Sequence, residues 1–364
     1  MKAIISGGGT GGHVFPAIAI ADAIKEKNPQ AEILFVGANG KLEMDRVPKA
    51  GYEIVGLPIQ GFHRKLTFKN LMFPFKLLAS MSKAIGVIKR FKPDVAIGVG
   101  GYASGPVLQM ATRRNIPIVV QEQNSYAGVT NKLLGKSAAK VCVAYDDMER
   151  FFPKEAIVFT GNPVRKEIYQ NNISTSEARA TLGLDVNKKT ILVFGGSLGA
   201  RALNEAIVNG AELLRQHPEI NLIWQVGKLY YNDYKNSEVA KLPNVTVLAF
   251  IEDMASAYKA ADLVVCRAGA LTISELSLVV KAAILVPSPN VAEDHQTKNA
   301  MALVNKNAAA MVKDTEAKES LVPKMIDLIN DEEHCKILQS NILHFGKPNA
   351  AEEIAEEILR LVEK

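Results

Sequence analysis

Cysteine is scarce in this chain of 364 residues: Cys142, Cys266 and Cys335 stand far apart, with no Cys-x-x-Cys pair. That usage argues against a disulfide framework and a thiolate zinc site, and it fits a reducing cytoplasm. No apolar run reaches the length of a membrane span, and a strand pattern begins within two residues of Met1, so neither a transmembrane helix nor a secretory leader is expected. No Asp-x-Asp is present to hold a metal and a diphosphate together. A Walker A loop is missing too, because Gly135-Lys-Ser137 has Thr130 where its first glycine is required. Gly7-x-Gly9-x-x-Gly12 does match the dinucleotide fingerprint, but the second strand ends Phe35-Val-Gly-Ala-Asn39, without the ribose-binding acid. A nicotinamide enzyme is therefore disfavoured.

Negative charge is absent over a long stretch. From Ile54 through Pro93 there is no Asp or Glu, while Arg64, Lys65, Lys69, Lys76, Lys83, Lys89, Arg90 and Lys92 give the segment +8 against a total of +5, so the remainder is net acidic. Aromatic and aliphatic residues are interleaved with these cations, and such a mixture suits anionic lipid headgroups. Phe62, Arg64, Lys65, Phe68, Lys69 and Phe73 are the candidate membrane patch. The helical spacing of Leu71, Phe75, Leu78 and Ile85 predicts that the later part of the segment packs as core. Nucleic acid is the other partner a basic patch allows, but no reading module appears and none is expected to bind.

What the chain does have is alternation of strand and helix patterns throughout, which implies parallel sheets with crossover helices. Strands are expected near residues 2–6, 32–36, 53–57, 94–99, 116–121, 140–144 and 157–160, then near 190–194, 221–226, 245–248, 263–266 and 283–286. Two of them run straight into glycine-rich turns followed by helices, Gly7-Gly-Gly-Thr-Gly-Gly-His13 and Gly195-Gly-Ser-Leu-Gly-Ala-Arg201. Such turns bring backbone N–H groups and the positive end of a helix close to an anion. Gly161-Asn-Pro-Val-Arg165, followed by the polar Gln170 to Glu177, has the character of a hinge between the halves. Asn349-Ala-Ala-Glu352 is a candidate capping box for a closing helix with the apolar stripe Ile354, Ile358 and Leu361.

Three further constellations sit at the carboxyl ends of expected strands, where open parallel sheets bind ligands: Gly98-Val-Gly-Gly-Tyr-Ala-Ser-Gly-Pro106, Gln121-Glu-Gln-Asn124 and Arg267-Ala-Gly-Ala-Leu-Thr-Ile-Ser-Glu275. With Gly-Gly-Thr10-Gly-Gly-His13-Val-Phe-Pro16, Gly161-Asn-Pro-Val-Arg165 and Gly195-Gly-Ser197-x-Gly-Ala-Arg201, they make the whole chain resemble the undecaprenyl-diphospho-muramoylpentapeptide β-N-acetylglucosaminyltransferases of bacterial wall synthesis. The resemblance implies an α/β fold of the GT-B type, two Rossmann-like doubly wound domains facing a central cleft. Residues 1–163 with 346–364 would form the acceptor and membrane side, and 164–345 the UDP-sugar side. It further implies inverting, metal-independent transfer of N-acetylglucosamine from UDP-N-acetylglucosamine to the muramoyl 4-hydroxyl of lipid I, giving lipid II, by a peripheral protein on the cytoplasmic face of the bacterial inner membrane. No cofactor is implied. Donor contacts would come from Thr10, Gly11, Gly12, Asn124, Arg165, Ser197, Ile251, Ala270, Leu271, Thr272, Ile273, Ser274, Glu275 and Gln296. The resemblance weakens between Gln60 and Leu71, where the family often carries a basic, glycine-rich stretch.

Inversion needs one in-line displacement and a base for the acceptor hydroxyl. His13 is the candidate, since imidazole accepts a proton near neutral pH and the following helix end disfavours the imidazolium; Glu122 is the fallback. Glu275 either completes a capping box with Thr272 or contacts a ribose diol, the latter being favoured. Tyr102 and Ser104 could face the acceptor diphosphate or simply pack their loop. His295, in a turn before a helix, and His334, beside Cys335, are expected to be surface residues, with no metal bound. A UDP-N-acetylglucosamine 2-epimerase and a diacylglycerol glycosyltransferase are the alternative functions.

Overall fold

The computed structural model describes residues 1–60, 72–196, 198–291 and 294–363. Two compact units divide the chain, one of residues 1–165 with 347–364 and the other of residues 166–346.

In the first unit, β1 (Lys2–Ser6), β2 (Glu32–Ala38), β3 (Glu53–Leu57), β4 (Val95–Gly98), β5 (Ile118–Glu122), β6 (Lys140–Val143) and β7 (Ile157–Phe159) form one parallel sheet in the order β3-β2-β1-β4-β5-β6-β7. Strand alternation splits the core in two. Ala3 and Ile5 face a layer with Ile20, Ile24, Ile354 and Ile358, whereas Ile4 faces Ile88, Val107 and Leu108. Helix Gly11–Lys27 therefore packs against the closing helix Ala350–Val362 on one side of the sheet. On the other side helix Phe73–Phe91 packs against helix Ser104–Thr112, which in turn meets helix Val129–Gly135.

The second unit repeats the scheme with β8 (Lys189–Phe194), β9 (Ile220–Gln225), β10 (Val245–Leu248), β11 (Leu263–Cys266), β12 (Ala282–Leu285) and β13 (Ala310–Met311), parallel in the order β10-β9-β8-β11-β12-β13. In each sheet the chain first builds outward on one side of the leading strand and then crosses to its other side, so β1/β4 and β8/β11 are the switch points.

Two expectations from the sequence need correction, the Asn349 cap and the buried stripe of helix Phe73–Phe91. Asn349 precedes the closing helix without a side-chain cap, because its backbone (φ −94°, ψ 9°) is not in the extended conformation that aims a capping side chain at the helix N–H groups. The capping-box alternative for Thr272 and Glu275, the less favoured reading, is excluded, since their helix already begins at Ala270 after Gly269. The division between the units falls directly after Arg165, at the end of the stretch expected as hinge, and the polar segment that follows contains a capping box, Ser174 with Glu177, opening helix Thr175–Thr181. Helix Phe73–Phe91 departs in part from the expected stripe: Ile85 packs against the core, but the fully buried line is Ser80, Ala84 and Ile88, while Phe75 and Leu78 are 66% and 65% exposed. The two-residue β13 was not foreseen, being too short to show alternation.

Candidate active site

The first glycine turn leaves β1 at Ser6, whose hydroxyl donates to the Val36 carbonyl at 2.8 Å. Gly9 turns at φ +90°, and Thr10 lies extended at the start of helix Gly11–Lys27 with its carbonyl accepting from the His13 and Val14 amides, each at 3.1 Å. The first N–H groups of a helix have no partner within it, so the turn Thr10 to Gly12 presents donors suited to an anion.

His13 is half-buried, and its Nδ1 lies 3.0 Å from the Gly8 carbonyl oxygen. A carbonyl can only accept, so Nδ1 carries the proton and the lone pair is on Nε2. Burial pulls the imidazole below its ordinary pKa; the bond to Gly8 and the charges of Glu122 and Glu43 oppose that pull without cancelling it. The ring lies against the turn after β4. Gly100 there has φ +92°, and a Cβ at that position would come within 2.7 Å of His13 Cδ2. At Gly101 a Cβ would collide with the Gly8 backbone, so the two glycine turns touch main chain to main chain.

Glu122 ends β5 and is buried. One oxygen accepts from the Asn124 backbone N–H at 3.1 Å and from Asn124 Nδ2 at 3.3 Å. The other accepts from the Gly128 N–H at 3.0 Å and from Asn131 Nδ2 at 2.9 Å. Four donors thus occupy the four lone-pair directions of the carboxylate, and this geometry disfavours Glu122 as a base and makes it the organiser of the Asn124 to Asn131 loop. Beside it Gln121, Gln123 and Asn162 form a buried amide network: Gln121 Nε2 donates to Asn162 Oδ1 at 3.1 Å, Asn162 Nδ2 to the Gln123 carbonyl at 3.2 Å, and Gln123 Nε2 to the Val99 carbonyl at 2.9 Å and to Gln121 Oε1. This network ties the segment Gly161 to Arg165 to the end of β5, and the Arg165 guanidinium stacks 4.2 Å from the Phe15 ring centroid. Tyr102 and Ser104 part company: Tyr102 is exposed, whereas buried Ser104 donates its hydroxyl to the Gly101 carbonyl at 2.9 Å and is withdrawn from the acceptor role expected of it.

In the second unit Gly196 and Gly199 turn at φ +84° and +82° before helix Arg201–Asn209, and Gln225 Nε2 donates to the Gly196 carbonyl at 2.8 Å. A Cβ at Gly199 would overlap the Val226 carbonyl and one at Gly227 would overlap Gly199, so this turn leans on the end of β9. Helix Ala270–Val279 follows β11 and carries Ala270 to Glu275. Glu275 is almost fully buried and accepts from the Tyr258 hydroxyl at 2.9 Å, while the Tyr258 ring meets Phe194 of β8 edge-on. Gln296, in the first turn of helix His295–Val304, accepts from the Ser288 N–H through Oε1 at 2.8 Å. That helix starts at His295 itself, one step earlier than the sequence suggests, and Ile251 is buried after β10. His334 lies in helix Glu332–Ile342. Ser197 and the candidate patch residues Phe62, Arg64, Lys65, Phe68 and Lys69 fall outside the described residues. Among the described residues no group of three or more His, Cys, Asp or Glu side chains could hold a metal ion.

One buried carboxylate in this region gave no signal in the sequence. Glu43 opens the short helix Glu43–Lys49, is completely buried, and accepts from the Gly9 N–H at 2.8 Å and the Ala38 N–H at 2.9 Å.

Comparison with known proteins places family models over most of the chain: the glycosyltransferase family 28 N-terminal domain matches residues 3–143 and its C-terminal domain residues 190–358. A protein of Phocaeicola vulgatus is 55% identical over 366 aligned residues, covering 100% of this chain and 97% of its own length. A protein of Bacteroides fragilis is 53% identical, covering 100% and 96%. Both are named UDP-N-acetylglucosamine–N-acetylmuramyl-(pentapeptide) pyrophosphoryl-undecaprenol N-acetylglucosamine transferase. Among solved structures, MurG of Acinetobacter baumannii superposes with a TM-score of 0.73 at 30% identity over 99% of both chains. A UDP-GlcNAc 2-epimerase of Neisseria meningitidis bound to UDP-GlcNAc reaches 0.71 at 16% identity, covering 99% and 100% of the two chains, and shows likeness of fold alone.

The bonding at Glu122 makes a stability prediction. Glu122→Ala strips partners from two backbone N–H groups and two side-chain amides, and it is expected to lower unfolding free energy by about 3 kcal/mol, within what unsatisfied buried donors cost. Urea unfolding of the full chain checks this, and an unchanged midpoint would refute the loop-organising role.

Proposed function

Because this chain belongs to glycosyltransferase family 28, and whole-length relatives at 53% and 55% identity share one activity, we infer that it transfers N-acetylglucosamine from UDP-N-acetylglucosamine to N-acetylmuramyl-(pentapeptide) pyrophosphoryl-undecaprenol. The reaction is a step of peptidoglycan synthesis. The epimerase alternative is not favoured, since its support is a fold likeness at 16% identity; nothing favours a diacylglycerol acceptor.

The residue roles are our reading. In the first unit His13 Nε2 takes the proton of the muramoyl 4-hydroxyl while that oxygen attacks the anomeric carbon; the bond from that carbon to the UDP oxygen breaks, and configuration inverts. The observation that carries this assignment is the His13 Nδ1–Gly8 contact at 3.0 Å, which leaves Nε2 as the acceptor nitrogen. Thr10 to Gly12, Asn124 and Arg165 are its donor-side neighbours in the same unit. In the second unit the turn from Gly195 to Ala200 and the helix behind it meet the diphosphate, whose charge grows as UDP leaves. One helix end contributes about 0.3–1 kcal/mol, and up to about 2 when partly buried, so several donors must act together. Glu275, steadied by Tyr258, is suited to a ribose diol, and Ala270 to Ser274 with Gln296 complete the nucleotide-sugar contacts.

We also propose that the face carrying Met72, Phe75 and Leu78, with Val129 and Leu133 exposed on a helix of the same layer, lies on anionic lipid at the cytoplasmic side of the bacterial inner membrane. No helix among the described residues is long and apolar enough to cross a membrane.

Each of these readings can be tested. Labelled UDP-N-acetylglucosamine should be transferred to the undecaprenyl-linked muramyl pentapeptide and not to diacylglycerol. A base must be unprotonated, so turnover should fall as pH drops through a midpoint below 6.5, the ordinary value from which burial displaces His13. His13→Asn should remove that limb and cut kcat roughly 10²–10⁴-fold with little change in donor KM; equal losses of kcat and UDP affinity would make His13 a binding residue. For the membrane face, Phe75→Glu with Leu78→Glu should reduce cosedimentation with phosphatidylglycerol vesicles about tenfold, roughly the loss of two apolar anchors, at an unchanged melting temperature. Undiminished binding would remove the claim.

A further inference from the structure

Glu43 lies at the back of the first glycine turn and is assigned above to no substrate contact of its own. Its two carboxylate oxygens divide between two strand ends: Oε2 accepts from Gly9 after β1, and Oε1 accepts from Ala38 at the end of β2. The main chain is built around it. A Cβ at Gly8 would overlap the carboxylate carbon, and one at Gly37 would come within 2.5 Å of Glu43 Cγ. Gly8 in turn offers its carbonyl to His13 Nδ1 at 3.0 Å, and a Cβ at Gly101 would collide with that same carbonyl oxygen. The Gly8–Gly9 peptide is thus clamped from both sides, with Glu43 holding the N–H and setting the direction of the C=O.

We propose that Glu43 is a positioning residue for the transfer reaction: by fixing the Gly8–Gly9 peptide plane it holds His13 as the Nδ1–H tautomer with Nε2 directed outward as base. This rests on the reading of His13 as base, and the order of effects is Glu43, then the Gly8 carbonyl, then the imidazole proton. Were the peptide free to rotate, its N–H would face the ring where its C=O now does. The tautomer preference would then reverse and place the lone pair on the wrong nitrogen. An ordinary buried acid would serve stability alone; the two-strand grip on the peptide that orients the catalytic imidazole distinguishes this one. The charged groups facing His13 are Glu43 and Glu122.

Glu43→Gln in the full-length chain tests the proposal, since it keeps the size but sets an NH₂ against a backbone N–H. Nitrogen-15 spectra of the histidines, with His13 assigned by its absence in His13→Asn, should show the Nδ1–H form in the native protein and a mixed or reversed population in Glu43→Gln. Plateau kcat should fall about 30-fold with donor KM within twofold, and the acid limb should move to lower pH, because a negative charge and the Nδ1 hydrogen bond are both lost. A general loss of structure would lower the rate without moving the limb. Gly8→Ala provides a second route, displacing the carboxylate while keeping its charge, and should shift the tautomer likewise if Glu43→Gln does not fold. A native tautomer in folded Glu43→Gln, or in folded Gly8→Ala where Glu43→Gln does not fold, would overturn the proposal. A reversed tautomer with kcat unchanged would uphold the clamp and sink only the reading of His13 as base.

Discussion

Main chain pressed on main chain, with no side chain between, is the contact on which both units depend. A Cβ at Gly101 would collide with the Gly8 backbone, and one at Gly199 or at Gly227 would collide with the main chain of the turn it faces. Only glycine admits that approach, and in doing so it exposes amide groups at the carboxyl ends of parallel strands, where a bound anion can reach them. The turns are also conformationally demanding, since Gly9, Gly100, Gly101, Gly196, Gly199 and Gly227 all have positive φ. An alanine at Gly100, Gly101, Gly199 or Gly227 would face a steric conflict and a strained backbone together, whereas at Gly9 and Gly196 only the backbone strain applies.

Both sheets follow one strand order, yet their leading turns lean in opposite directions. In the first unit the turn after β1 leans across the switch point onto the turn after β4, and His13 is wedged where the two meet. In the second unit the turn after β8 leans on β9, away from β11. The switch-point side is left to helix Ala270–Val279 and to Glu275, held by Tyr258. The same architecture therefore presents an imidazole at one switch point and a buried carboxylate with helix-end amides at the other, the two groups to which our proposal gives acceptor activation and nucleotide binding. Function differs here through the neighbour each glycine turn chooses, while the strand order stays constant.

Much of this was legible in the sequence, because parallel strands buried on both faces are near-continuous apolar runs ending in glycine. Lys2–Ser6, Glu53–Leu57, Val245–Leu248 and Leu263–Cys266 stand where the residues alone put them, and the remaining foreseen strands differ at their ends by one or two residues. The failures have physical causes. A capping box is a statement about where a helix begins, and the Asn349 box and the capping-box alternative at Thr272 both fail on local backbone: at Thr272 the end of β11 sets that start three residues earlier than such a box requires. Phe75 and Leu78 have the spacing of a core stripe, but periodicity fixes only the angle between residues and leaves open which stripe turns inward; the small line Ser80, Ala84 and Ile88 does so. Glu43 was illegible because its value lies in contacts with Gly9 and Ala38, brought to it by sheet pairing and not by proximity in sequence.

The closing helix Ala350–Val362 packs against the helix that carries His13. Immediately after it, Val14, Ala17, Ile18 and Ile20 turn into the core layer shared with Ile354, Ala355 and Ile358, so the first turn of helix Gly11–Lys27 is fixed by packing against the far end of the chain. A general base misplaced by about 1 Å can lose a hundredfold in rate, so rigidity at that turn matters more than its contribution to net stability. Bringing residues so remote in sequence together is thermodynamically tolerable. Loop-closure entropy grows only logarithmically, about 0.6 kcal/mol per doubling of length, and an intervening unit with its own core already shortens the effective loop. The departing and returning segments also meet inside the first unit: a Cβ on Gly161 would lie 2.6 Å from Lys347 Cβ, and the Lys347 ammonium lies 5.0 Å from the Phe159 ring centroid. Gly161 and Lys347, which flank the second unit in sequence, thus lie side by side within the first, and the helix that completes the first unit packs against the one that carries His13.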